Sequence, residues 1–93
     1  MKKVYELLKR VPKGKVTTYG ELARAAKTSP RAVGALMKAN PYAPAVPCHR
    51  VIMSNGSLGG FAGGVKKKIS MLKSEGIEIK NGRIDLKKYL HRF

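Results

Sequence analysis

The chain has 93 residues, and its 20 lysines and arginines against 5 aspartates and glutamates give a formal net charge of +15. This length supports one small domain, and a hydrophobic content of 43% is too high for a disordered tail. The charge favours a polyanionic partner, nucleic acid before an anionic membrane surface, while the apolar runs are too short to cross a membrane. The single cysteine excludes an internal disulfide and a cysteine-rich metal site. A free thiol and the lack of a secretory leader predict a cytoplasmic location, close to the nucleoid.

Three helices are predicted in the first half of the chain. Apolar residues at helical spacing place the first over residues 2–11, ended by the turn residues of VPKGK. Thr18 and Glu21 form a capping-box pattern, so a second helix begins after Thr18. Ser29 is a good N-cap and Pro30 suits the first turn of a third helix, which the NP pair ends. Two short helices so closely spaced indicate a helix-turn-helix.

The second half predicts short strand pairs and one more clear helix. The proline-rich NPYAPAVP is extended or looping, and Asn55–Gly56 predicts a hairpin turn, followed by a glycine-rich bend in GGFAGG. VKKKISMLKSEG is the next helix, and Asn81–Gly82 predicts a second hairpin before a last helical turn. The buried stripe of that helix is predicted to be Val65, Ile69 and Leu72. The expected fold is mostly α with short β hairpins, a winged-helix-like DNA-binding domain comprising residues 1–93.

Two basic or small-residue surfaces each have two interpretations. The third helix has Ala32, Gly34 and Ala35 on its surface, with only Arg31 and Lys38 as cations. Such a surface is typical of helix–helix packing, but it also lets a backbone enter a narrow groove, with binding through phosphates rather than base readout. The KKK run at residues 66–68 could neutralise phosphates or form a solvated helix face.

Cys48 lies in VPCHRV, between a proline and a histidine. A lone cysteine is most often a small buried hydrophobe. Here His49 and Arg50 follow it, and both can favour a thiolate. The preceding prolines stiffen the approach, and Glu75, one of five acids, could orient the histidine. Together these residues predict a nucleophile, a base and an orienting carboxylate.

VPCHRVI, preceded by VTTYGELA and SPRAVGALMKANP and followed by GGFAGG and SEG, resembles the methylated-DNA–protein-cysteine methyltransferases, or O6-alkylguanine-DNA alkyltransferases. The resemblance runs from about Val4 to Gly76.

The resemblance implies a DNA repair protein that flips a damaged base and moves its alkyl group irreversibly to Cys48, once per molecule. The substrate would be double-stranded DNA containing O6-alkylguanine, with O4-alkylthymine as a second lesion. No metal or cofactor is implied, and a monomer is expected. We expect only the catalytic module here, active without the N-terminal domain of its relatives.

The resemblance also implies roles for individual residues. Cys48 would accept the alkyl group, and His49 would act as general base through a water. Glu75 would fix the tautomer of that histidine. Tyr19 would donate a proton or hydrogen bond to the guanine ring, and Asn40 would be the hinge between the third helix and the Cys48 segment.

DNA contacts and a substrate pocket follow from the same resemblance. Arg31 would fill the space of the flipped nucleotide, and the third helix would enter the minor groove. The remaining DNA-binding residues would be Tyr19, Gly20, Ser29, Ala32, Gly34, Ala35 and Ser54. The pocket would be lined by Val46, Pro47, Gly59, Phe61 and Ala62. Because many relatives have a larger or hydroxyl-bearing residue near Phe61 and Ala62, we expect a roomy pocket that tolerates adducts such as benzyl.

Three other functions are compatible with parts of the sequence. An alkyltransferase-like sensor would bind the lesion without transfer, although such sensors replace the cysteine. A winged-helix regulator would have a structural cysteine, and a small ribosome-associated protein would prefer RNA. The last two leave Tyr19, Arg31, Cys48 and Glu75 unexplained as a set.

Overall fold

A computed structural model of the chain describes residues 2–42, 45–60 and 64–93. Within these ranges the chain is mostly helical, with one short two-stranded sheet. The helices are α1 (Lys2–Lys9), α2 (Tyr19–Ala26), α3 (Pro30–Ala39), α4 (Val65–Ser74) and α5 (Leu86–Tyr89). The strands are β1 (Thr17–Thr18) and β2 (Val51–Ile52), and a 3-10 turn over Cys48–Arg50, the Cys48 turn, precedes β2. None of the helices in the described ranges has the length and apolar character that crossing a membrane requires.

Side-chain caps start the two helices of the helix-turn-helix, as predicted. The Thr18 hydroxyl accepts a hydrogen bond from the Glu21 amide at 3.0 Å. The Ser29 hydroxyl accepts one from the Ala32 amide at 3.1 Å. In a complete capping box the Glu21 carboxylate would accept from the Thr18 amide. Here it accepts from Arg24 and from the Phe93 amide instead. Each cap satisfies an amide that has no partner inside its own helix.

The first predicted hairpin is wrong in its strand pairing. The turn at Asn55–Gly56 does form, and the Met53 amide donates to the Ser57 carbonyl at 2.9 Å. The strand before it, however, pairs in parallel with β1, Thr17 opposite Val51 and Thr18 opposite Ile52. This register buries Val51 and Ile52 completely, a gain in apolar burial that an exposed two-stranded hairpin does not offer.

The second predicted hairpin is confirmed as a tight turn. Lys80 and Arg83 exchange both backbone hydrogen bonds at 2.9 Å, while Asn81 and Gly82 have φ of 53° and 72°. Positive φ at both central residues is the geometry that Asn-Gly favours in two-residue hairpins. The Ile84 amide then donates to the Gly56 carbonyl at 2.8 Å, which joins the two turns.

Two hydrophobic clusters lie on opposite sides of the β pair. The first is built by α1, α2 and α3 and includes Val51, and the second by α4 and the C-terminal segment and includes Ile52. Because neighbouring strand residues point to opposite faces, β2 contributes to both. The Cys48 turn therefore lies between the helix-turn-helix and α4. The predicted mostly helical class with a helix-turn-helix is confirmed.

Candidate active site and nucleic-acid interface

Cys48 begins the Cys48 turn and belongs to the first hydrophobic cluster. Its side chain is buried, with 7% of the residue exposed. Its amide donates to the Val46 carbonyl at 2.9 Å, and the Arg50 amide donates to Pro47 at 3.0 Å. Val46 is 1% exposed and packs in the first cluster. The thiol is thus held on a backbone that the core itself anchors.

His49 and Arg50 both bind the carboxylate of Glu75. His49 Nε2 lies 2.8 Å from Glu75 Oε2. Arg50 donates from Nε to Oε1 at 2.9 Å and from Nη2 to Oε2 at 2.8 Å, and its Nη1 donates to the Val11 carbonyl at 2.9 Å. The structure therefore brings together the predicted histidine and carboxylate, and adds an arginine that sequence reasoning had placed only near the thiol.

The charge state of Glu75 determines which nitrogen of His49 is basic. Burial raises the pKa of Glu75, but hydrogen bonds from Arg50 and His49 and their charges outweigh it, so its pKa lies below the ordinary value. An ionised carboxylate only accepts hydrogen bonds. His49 must then donate from Nε2, and in the neutral ring Nδ1 is left as the basic nitrogen.

Tyr19 is the first residue of α2 and directly follows β1. Burial and then the charge of Cys48 raise the pKa of its phenol above the ordinary value. Gly59 lies against this ring, because a Cβ at Gly59 would be 3.5 Å from Tyr19 Cε2 and 3.7 Å from its hydroxyl oxygen. Its φ of +72° also favours glycine. The raised pKa keeps the phenol protonated at neutral pH, so Tyr19 can donate a hydrogen bond.

Asn40 connects α3 to the segment that carries Cys48. Its Nδ2 donates to the Val46 carbonyl at 2.9 Å, and its Oδ1 accepts from the Tyr42 amide at 2.9 Å. Both groups of the side chain are used to fix the chain direction after α3. The role of Asn40 as a hinge stays a prediction.

α3 exposes the small side chains that the sequence singled out. Val33 and Met37 are buried on its inner face, whereas Ser29, Arg31 and Ala35 are exposed, and Ala32 and Gly34 are half-buried. A Cβ at Gly34 would have no atom of the described residues within 4 Å. Packing within those ranges therefore does not explain Gly34. Two further predicted DNA-binding residues, Gly20 and Ser54, lie next to each other in the structure. A Cβ at Gly20 would be 3.0 Å from Ser54 Oγ.

The interpretation of the KKK run as a uniform surface is wrong for one of its lysines. Lys66 and Lys67 are exposed, but Lys68 is fully buried. The predicted stripe shifts accordingly, because Val65 is 46% exposed while Lys68 and Leu72 are buried. The sequence could have predicted the burial of Lys68. It lies four residues before Leu72, which was predicted to be buried, and so on the same helix face.

The predicted pocket residues have different placements. Val46 and Pro47 are buried behind the thiol, with the side chain of Val46 in the core. Gly59 faces Tyr19. Phe61 and Ala62 lie outside the described residues, and the tolerance of bulky adducts stays a prediction. Across residues 2–42, 45–60 and 64–93, no three His, Cys, Asp or Glu residues are grouped so as to hold a metal ion.

The sequence is similar to known alkyltransferases. The family described as 6-O-methylguanine DNA methyltransferase, DNA binding domain, matches residues 1–77. A bifunctional methyltransferase/endonuclease of Picrophilus torridus is 50% identical over 88 residues, 92% of this chain and 30% of that protein. A methylated-DNA–protein-cysteine methyltransferase of Thermococcus kodakarensis is 53% identical over 78 residues, 83% of this chain and 44% of that protein. The chain thus spans less than half the length of these curated relatives.

Solved structures resemble the fold over most of the chain. The O6-methylguanine-DNA methyltransferase of Pyrococcus kodakaraensis KOD1 has a TM-score of 0.77 at 53% identity, covering 82% of this chain and 45% of that one. S. pombe Atl1, in complex with damaged DNA containing O6-carboxymethylguanine, has a TM-score of 0.88 at 34% identity, covering 99% of this chain and 94% of that one. The family match extends over most of the residues that build the site and includes Tyr19, Cys48 and Glu75. The chain therefore belongs to the 6-O-methylguanine DNA methyltransferase family.

Proposed function

We propose that this protein repairs duplex DNA by moving the alkyl group of O6-alkylguanine irreversibly to Cys48, as a monomer and without a cofactor. The observation that carries the proposal is the pair directly after the thiol, in which His49 Nε2 lies 2.8 Å from Glu75 Oε2. Tyr19 supports it, because burial and then the charge of Cys48 raise the pKa of its phenol. A nucleophile, an oriented base and a proton donor for the leaving group are the parts that such a transfer needs.

The proposed reaction begins with a proton leaving the thiol. Nδ1 of His49 takes it through one water, while Glu75 holds the opposite edge of the ring. The sulfur attacks the alkyl carbon, so that a C–S bond forms as the C–O6 bond breaks and its electron pair moves to the guanine. Tyr19 donates its proton to the departing base and regains one from solvent, to which His49 loses its own. The thioether is stable, so each molecule acts once.

DNA engagement is proposed to run through α3. A duplex hides O6 from a buried thiol, so the damaged nucleotide must leave the stack. Exposed Arg31 at the start of α3 is placed to fill the vacated space, and the small residues Ala32, Gly34 and Ala35 let the backbone approach a narrow groove. Relatives with DNA-bound structures, S. pombe Atl1 and M. tuberculosis OGT, support this use of the fold.

The test is the intact mass of the protein after incubation with a duplex that contains one O6-methylguanine, with C48S as the matched variant. We expect the wild type to gain the mass of one methylene per molecule, and the C48S protein to gain nothing. A wild-type mass that stays unchanged at saturating duplex would contradict the proposal.

A lesion sensor is the second candidate function. It is favoured by the similarity to Atl1, which covers 94% of that chain and whose structure contains O6-carboxymethylguanine DNA. A sensor would bind the lesion duplex more tightly than the undamaged one and leave its mass unchanged. The mass measurement and a paired binding titration therefore separate the two functions.

A further inference from the structure

Lys68 is a charged side chain inside the protein. It is 0% exposed, a rare state for lysine because burying an ammonium without partners is strongly unfavourable. Its Nζ donates to three backbone carbonyls, those of Val51 at 2.7 Å, Leu58 at 2.6 Å and Gly60 at 3.2 Å. The position is therefore a built site for a cation.

The three carbonyls match the protonated form of the side chain. An ammonium has three N–H donors and no acceptor, so each proton finds one oxygen. A neutral amine in the same place would direct its lone pair at a carbonyl oxygen. Geometry alone thus specifies a cation at Lys68, although burial lowers its pKa to about 8.

The three carbonyls belong to two separate segments, β2 and the loop around Gly59. Val51 directly follows the Cys48 turn, while Leu58 and Gly60 flank the glycine that lies against Tyr19. Of the described residues, Cys48 is the ionisable group whose charge acts on Lys68, and it opposes the effect of burial. The ammonium of Lys68 therefore joins β2 to the loop around Gly59 and is favoured by a negative charge on Cys48.

We propose that Lys68 is a positioning residue for alkyl transfer, which ties the segment leaving Cys48 to the loop lying on Tyr19 and stabilises the negative charge that develops on the sulfur. This role rests on the transfer function proposed above. It acts through the placement of Cys48 and Tyr19 rather than by contact with DNA, so it affects the transfer step and not the affinity for the lesion.

The experiment compares K68M with K67M, a matched change at the exposed neighbouring position. Methionine matches the unbranched apolar stem of lysine as far as Cε but lacks the ammonium and donates no hydrogen bond. The rate of methyl transfer at saturating lesion duplex and the Kd for that duplex are measured separately. We expect K68M to lower the rate at least tenfold with Kd within about twofold of wild type, and K67M to leave the rate unchanged. A folded K68M protein that transfers at the wild-type rate, or that loses only affinity, would overturn the role of Lys68.

A second measurement needs no variant and so covers the case in which K68M does not fold. The side-chain nitrogen of Lys68 is titrated by NMR in wild-type protein before and after Cys48 is capped with iodoacetamide. We expect the midpoint to fall once the thiol can no longer become negative, and an unchanged midpoint would overturn the interaction. Wild-type protein that takes no methyl group from DNA would instead overturn the proposed function, which the midpoint does not test.

Discussion

Glu75 serves both residues that follow Cys48. Its carboxylate accepts from His49 on one oxygen and from Arg50 on both. Side-chain chemistry made Glu75 a candidate partner of His49, and the family resemblance implied the pairing. The hydrogen bonds from Arg50 to Glu75 were not predicted. They form because the end of α4 meets the Cys48 turn, 25 residues earlier in the chain. An arginine fork fixes a carboxylate in two directions, so the orientation of His49 depends on both partners.

Replacing Glu75 by glutamine is expected to slow methyl transfer by roughly 10²- to 10⁴-fold. The neutral amide can donate as well as accept, so it no longer forces the proton of His49 onto Nε2. Single-turnover rates at saturating lesion duplex measure the effect, and E78Q, at an exposed glutamate, is the matched control. An E75Q rate within about twofold of wild type would show that tautomer control by Glu75 is unimportant.

Glu75 also predicts how stability responds to acid. Its pKa in the folded protein lies below the ordinary 4.5. A carboxyl with a lowered folded pKa stabilises the protein fully above its unfolded value, and this contribution is lost as pH falls through the folded value. We therefore expect wild type to lose its stability advantage over E75Q as pH falls below 4.5. Urea denaturation from neutral pH to about pH 3 measures the difference, and a constant difference would contradict the assignment.

At the scale of elements, local patterns predicted helix starts and missed long-range pairing. The caps at Thr18 and Ser29 are contained within four residues, so the sequence displays them directly. The pairing of β1 with β2 joins residues far apart in the chain, and no sequence pattern near either strand indicates it. The spacing of Lys68 to Leu72 indicates its helix face, but the carbonyls that accept from its ammonium lie outside the helix and have no local pattern.

The start of α3 allows helix stability and DNA binding to be separated. S29A should lower the free energy of unfolding by about 1 kcal/mol, because the Ala32 amide loses its cap. S29D should retain stability, since aspartate caps equally well and its charge suits a helix N-terminus. The same charge should weaken duplex binding if this end of α3 faces phosphates.

Urea denaturation and duplex titration measure the two effects for each variant. N81D, which adds one negative charge at the exposed Asn81–Gly82 turn, is the control for net charge. Equal weakening of binding by S29D and N81D would place the start of α3 away from the DNA.

At the scale of the whole molecule, the C-terminal segment, residues 89–93, is hydrogen-bonded to Val16, which directly precedes β1. The His91 amide donates to the Val16 carbonyl at 2.7 Å, and Val16 donates to Tyr89 at 2.9 Å. Phe93 packs against the first hydrophobic cluster. The segment thus connects α5 to both sides of the molecule, beyond the residues that the family match covers.

Deleting residues 90–93 is expected to lower the free energy of unfolding by roughly 2 to 4 kcal/mol. The loss combines the buried area of Phe93 with the hydrogen bond from His91. Urea denaturation measures it, with R92A as the control because that side chain is exposed. A deletion as stable as R92A would show that the contacts of this segment contribute little to folding.

The net charge of +15 predicts how salt affects binding. Each phosphate that a lysine or arginine neutralises releases counterions, so affinity falls linearly with salt on logarithmic axes, with a slope of about −0.9 per contact. A flipped alkylguanine adds contacts to a base, not to further phosphates. Lesion and undamaged duplexes should therefore give parallel lines, and lesion preference should be independent of salt. Kd values at several salt concentrations, measured with C48S to prevent transfer, test this. Lines that converge as salt rises would mean that flipping recruits phosphate contacts of its own, and that the charged surface helps to select the lesion.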